Sequence, residues 1–112
     1  MLEDRSLQGC VVRLRGLPYA ATEADVRDFM DGVLLSELPD CIVFAHGLDG
    51  RPTGEAYVDL ADEQSLALAM TRHKEVMGSR YIEVFNSSKM DKLQAQKQLE
   101  SLSNARIDSS RR

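Results

Sequence analysis

Cys10-Val11-Val12-Arg13-Leu14-Arg15-Gly16-Leu17-Pro18-Tyr19 is a short strand followed by a hard stop. Cys10–Arg15 is rich in β-formers, and its second half alternates: Val12 and Leu14 point one way, Arg13 and Arg15 the other. That is the pattern of a strand with one buried face. Gly16-Leu17-Pro18 then breaks it. Downstream, Thr22 stands three residues before Asp25, a near capping box that starts a helix running to about Met30. Val26, Phe29 and Met30 form its apolar stripe.

The rest of the chain repeats this grammar. Cys41–Ala45 is a short apolar strand, and His46–Pro52 is turn chemistry with Asp49-Gly50 as the reversal. Glu55–Leu60 alternates, with Ala56, Val58 and Leu60 inward and Glu55, Tyr57 and Asp59 outward. Residues 62–74 read as a second helix with Asp62 and Glu63 at its positive N-terminus and Leu66, Ala69 and Met70 as its stripe. Gly78 punctuates, and Tyr81–Phe85 is a last strand with Ile82 and Val84 inward.

The order β-α-β-β-α-β predicts an α+β, ferredoxin-like sandwich: a four-stranded antiparallel sheet with two helices on one face. The other face carries Arg13, Glu55, Tyr57 and Glu83. Four segments are expected: a flexible lead over 1–9, a domain over 10–86, a helical extension over 87–102 and a disordered tail over 103–112. Asn86-Ser87-Ser88 caps the extension, whose Met90, Leu93, Leu99 and Leu102 make only a loose stripe. It could fold back on the sheet, extend into solvent or pair with another chain.

The net charge of −4 argues against a non-specific nucleic-acid binder, which needs a broad basic surface. Binding to RNA would have to come from a few well-placed side chains. Cys10 and Cys41 lack metal-ligand spacing and read as reduced thiols; His46 and His73 stand apart and read as exposed polar residues. Gly47, Gly50 and Gly54 suit a hairpin and not a phosphate cradle. The acids face no nucleophile–base pair, so no catalytic residue, metal or cofactor is expected. No apolar run is long enough to cross a membrane.

Three segments carry a family resemblance. Val11–Tyr19 contains Arg15-Gly16-Leu17-Pro18-Tyr19, Gly50–Val58 reads GRPTGEAYV, and His73–Phe85 ends in MGSRYIEVF. Together they resemble the quasi-RRM domains of the heterogeneous nuclear ribonucleoprotein F/H family and related G-rich-RNA-binding splicing regulators. An ordinary RNA recognition motif (RRM) stacks bases on sheet aromatics. By strand pattern those positions are Arg13, Glu55 and Tyr57 here, so only Tyr57 is left to stack, and Arg13 and Glu55 could pair across their strands. The resemblance implies that RNA contacts move to loops, to Arg15, Tyr19, Arg80 and Tyr81, with Tyr57 in a lesser role. It also implies G-tract single-stranded RNA as ligand, a role in splicing or RNA processing, and a nuclear setting with a cytoplasmic one also open. Arg forks read guanine O6 and N7, and tyrosine faces stack bases.

The blander readings make Arg15 a solvated strand-end charge or a partner for Glu83, and Tyr19 a lid over the end of the core. Two other function classes compete. One is a protein-binding module, whose acidic helix face (Glu23, Asp25, Asp28, Asp31, Glu37 and Asp40) meets a basic peptide, or whose 89–102 helix self-associates in an otherwise monomeric chain. The other is an acylphosphatase-type enzyme of the same topology, disfavoured because no phosphate-binding loop with catalytic partners is present.

Overall fold

A computed structural model describes residues 10–98 of the 112. The lead over 1–9, the tail over 103–112 and the end of the expected 89–102 helix lie outside the described residues. The elements are β1 (Val11–Arg15), α1 (Glu23–Phe29), β2 (Ile42–His46), β3 (Pro52–Asp59), α2 (Glu63–Met70), β4 (Glu75–Met77) and β5 (Arg80–Ser87). A third helix, α3, covers residues 89–98.

The sheet order is β2-β3-β1-β5-β4, with every neighbouring pair antiparallel. β1 therefore sits in the centre. Val12 lies opposite Val58, and Leu14 lies between Ala56 on β3 and Val84 on β5. All of these are buried, as are Val26, Phe29 and Met30 at α1 and Ala69 of α2. One face of the sheet and two helix stripes thus close a single core. Fully burying a side chain such as Leu14 is worth about 1.5–3 kcal/mol. This inward set is the one that alternation marked.

Local chemistry fixes the helix starts. The Thr22 side chain accepts from the Asp25 amide while the Asp25 carboxylate accepts from the Thr22 amide, a complete capping box. Asp62 caps α2 by accepting from the Ser65 amide at 2.8 Å, which holds its carboxyl below the ordinary range.

The structure departs from the sequence pattern over residues 71–77. The second helix ends at Met70, not 74. Thr71, Arg72 and His73 donate to carbonyls three residues back, a tightened turn that cannot continue an α-helix. Glu75–Met77 then forms a hairpin with Arg80–Ser87 through Gly78, so the sheet has a fifth, short edge strand. Three residues are too few for alternation to reveal.

Two glycines place the segment between β1 and α1. The Gly16 and Leu17 amides both donate to the Gly54 carbonyl, at 3.0 and 2.9 Å. Gly16 has φ +99°, and a Cβ there would sit 2.9 Å from the Tyr81 carbonyl oxygen; Gly54 has φ +86° and would crowd the Leu17 carbonyl at 3.3 Å. Gly54 therefore does more than shape the hairpin.

Gly16→Ala should cost at least about 2 kcal/mol by denaturant unfolding, because left-handed strain adds to a backbone clash. At Gly78 an added Cβ would meet nothing within 4 Å. Gly78→Ala should therefore cost only the strain, about 1 kcal/mol. Equal losses would show that the Tyr81 contact is unimportant.

Candidate nucleic-acid interface

The Gly16–Leu17 clamp joins two of the loops singled out by sequence. Arg15, the last residue of β1, lies opposite Glu55 on β3 and Glu83 on β5. Its Nε is 3.8 Å from the Glu83 carboxylate, with the arginine side chain largely exposed and the glutamate half-buried. Such a pair contributes little, about 0–1 kcal/mol, so it tethers the guanidinium without consuming it. Tyr81 is two residues before Glu83 on the same face, next to Gly16. Tyr19 and Tyr81 are 77% and 73% exposed, unusual for rings of that size. Arg15, Tyr81 and the Tyr19 loop therefore cluster at one end of β1. Arg80 is exposed but falls on the opposite alternation from Tyr81, with Ile82.

The open face of the sheet differs from the expected cross-strand pair of Arg13 with Glu55. Register sets Tyr57 and Phe85 on either side of Arg13, and Glu55 opposite Arg15 instead. The Arg13 guanidinium lies 5.0 Å from the Phe85 ring centroid, a cation–π contact. Burial pushes the Tyr57 hydroxyl up, the Glu55 charge adds to that, and the Arg13 charge and hydrogen bond pull it back. Phe85 joins the face residues expected from sequence, since it lies two positions beyond Glu83 on the same alternation.

His73 is exposed, as expected, while His46 is half-buried, and both rings are engaged by the protein. The Val84 amide donates to His73 Nδ1 at 3.0 Å, and the His73 ring meets Phe85 edge-on at 5.9 Å. His46 Nδ1 lies 3.1 Å from the Phe44 carbonyl oxygen and is half-buried.

α3 folds back over the β2–β3 half of this face. Lys92 is 5% exposed; its Nζ reaches Asp59 at 3.4 Å and Asp40 at 3.7 Å. Gln96 donates to Asp40 at 2.8 Å, and Gln98 to the His46 carbonyl at 3.1 Å. Asp91, Gln94, Ala95 and Gln98 line a gap over Tyr57, while Met90 and Leu93 remain exposed. The helix thus docks through polar contacts, and Tyr57 is half-buried beneath it. Of the three fates open to the extension, residues 89–98 fold back.

A half-enclosed cavity of about 160 Å³ lies between the β1–α1 loop and the β2–β3 hairpin. Pro18, Tyr19, Phe44, His46, Pro52 and Glu55 are among its walls.

Comparison with known proteins matches the RRM domain family over residues 12–101. Heterogeneous nuclear ribonucleoprotein H2 of Homo sapiens is 36% identical over 91 residues, 81% of this chain and 20% of that protein. The chain thus spans about a fifth of the length of this relative. Among solved structures, the Glorund qRRM2 domain is similar with a TM-score of 0.74 and 40% identity, covering 76% of this chain and 96% of that one. G-rich RNA sequence binding factor 1 from Homo sapiens is similar with a TM-score of 0.68 and 30% identity, covering 81% and 92%.

Two outcomes test the α3 contacts. Lys92→Met strands the Asp59 carboxylate without a counter-charge, so α3 should lift rather than leave it buried. Hydrogen exchange over 89–98 should rise at least about tenfold, ~1.4 kcal/mol of local stability, with Val12 and Leu14 still protected. Acid should act similarly. The Gln96 hydrogen bond, opposed by burial and helped by Lys92, holds the Asp40 carboxyl below its ordinary value of 3.8. A depressed carboxyl stabilises the folded state above its unfolded value and loses that contribution as pH falls through the lowered one. α3 amides should therefore lose protection below pH 3.8 and not between pH 5 and 8; loss in the neutral range would rule out Asp40 as the cause.

Proposed function

The chain belongs to the RRM domain family, and from that premise we propose that it is a single-stranded RNA-binding module that recognises G-tracts through the loops at the end of β1. The observation that carries this reading is the joint exposure of Tyr19 and Tyr81 beside Arg15, while α3 covers Tyr57 and Phe85 holds Arg13. The stacking surface of an ordinary RRM is occupied by the protein's own groups, and two free rings stand at the loop end instead.

The chemistry suits guanine. A guanidinium fork donates to O6 and N7 together, a pair of acceptors on one edge. The tyrosine faces stack adjacent bases without regard to sequence. Arg15 supplies the selective contact at this end, and Arg80, exposed on the opposite alternation of β5, a second one from the other side of the hairpin. Tyr19 and Tyr81 supply most of the affinity, with Tyr57 adding to it only where α3 leaves it open. In a chain of net charge −4, a phosphate field cannot dominate, so the salt dependence should be shallow. The similarity to a heterogeneous nuclear ribonucleoprotein and to a G-rich RNA sequence binding factor supports a nuclear role in RNA processing or splicing, as one module of a longer protein.

Fluorescence anisotropy with a hexanucleotide holding three central guanines tests the reading. Tyr19→Ala and Tyr81→Ala should each cost about 1–3 kcal/mol of binding, and Arg15→Ala a similar amount concentrated in the preference for guanine. Equal affinity of the unmodified chain for guanine and uracil hexanucleotides would end the G-tract proposal.

A further inference from the structure

We propose that the cavity between the β1–α1 loop and the β2–β3 hairpin is a guanine-selecting subsite, in which the Glu55 carboxylate accepts hydrogen bonds from the N1–H and N2–H groups of an entering base. This rests on the RNA-binding reading above and assigns a second, separate source of its specificity.

The walls of the cavity decide what can enter. Pro18, Phe44 and Pro52 are apolar, and the Tyr19 ring at the rim is free to lie against a base. The polar side chains in the lining are Tyr19, His46 and Glu55. Glu55 is half-buried and, ionised, only accepts. The His46 Nδ1 is engaged by the Phe44 carbonyl oxygen at 3.1 Å, inside the protein. Glu55 therefore gives the cavity an acceptor-only group, which matches a ligand edge with an excess of donors.

Among the four bases, guanine alone carries two adjacent donors on its pairing edge, N1–H and the N2 amino group. Adenine and cytosine each place a ring-nitrogen acceptor beside their amino group, and uracil sets one N–H between two carbonyls. Each of these would bring a lone pair against the carboxylate or leave it half-buried without donors, which is costly. A site built on hydrogen bonds discriminates more sharply than one built on shape. The volume is comparable to a cavity of about 150 Å³ that admits a benzene ring, so the pairing edge of a base fits while the sugar stays outside. Arg15, opposite Glu55 in register but not in the cavity wall, is left to read a different edge or a different base.

Base analogues separate the two sources. Binding of the guanine hexanucleotide is compared with adenine, inosine and 7-deazaguanine versions, for the full chain and for Glu55→Gln. Inosine lacks the N2 amino group; 7-deazaguanine keeps the pairing edge and lacks N7. The full chain should bind inosine roughly tenfold more weakly than guanine, the scale of one hydrogen bond to a charged group. Glu55→Gln should lower the guanine-to-adenine preference by roughly tenfold while adenine binding holds or improves, since a negative charge is removed. The inosine and Glu55→Gln losses should overlap, and the 7-deazaguanine loss should add to either. Glu55→Asp, which keeps the carboxylate, should retain part of the preference. A fall in affinity for all bases alike would indicate a structural role and overturn the proposal. An unchanged guanine preference in Glu55→Gln would overturn it while leaving loop recognition standing. A full chain with no guanine preference would overturn both.

Discussion

The Gly54 carbonyl, bonded to the amides of Gly16 and Leu17, is the constraint on which the candidate interface depends. It ties the exit of the central strand to β3, while Gly16 presses on the Tyr81 carbonyl of β5 from the other side. Three strands therefore converge on one backbone segment. That convergence brings Arg15, Tyr19 and Tyr81 to a common end of the sheet. A side chain at either glycine would push the segment off its neighbours, and both backbones lie in the left-handed region where side chains are strained.

The protein's own groups fill the sheet face that an ordinary RRM offers to bases. Arg13 occupies the space between Tyr57 and Phe85, and α3 covers the β2–β3 side. The helix is fastened mainly by a buried lysine on two carboxylates and by two glutamine hydrogen bonds, with Met90 and Leu93 left outside. Burying Lys92 and Asp59 costs desolvation, which their attraction at 3.4 Å works against.

The acidic balance of the chain fits this arrangement. A surface that repels phosphate binds RNA only where rings and hydrogen-bond edges outweigh the repulsion. Glu55 carries that negative charge into the wall of the cavity it shares with Tyr19 and His46.

By itself, the sequence determined the fold and the position of the core. Alternation in Cys10–Arg15 and Glu55–Leu60 and the stripe Val26, Phe29 and Met30 could be satisfied only by one buried sheet face against helices, because a one-residue slip would expose every apolar side chain. The motifs that carry the family resemblance pointed to Arg15, Tyr19, Arg80 and Tyr81 as candidates, and the glycines that clamp the loop stand in the same motifs. Tertiary structure alone decided the rest. Cross-strand register set Tyr57 and Phe85, not Glu55, beside Arg13, and register depends on bulges and turns that leave no periodic signal. The seat of α3 hinges on Lys92 meeting Asp59 and Asp40, 33 and 52 positions away in the chain, and no local pattern records a contact at that separation. The cavity that joins Tyr19 to Glu55 exists only once two distant loops meet.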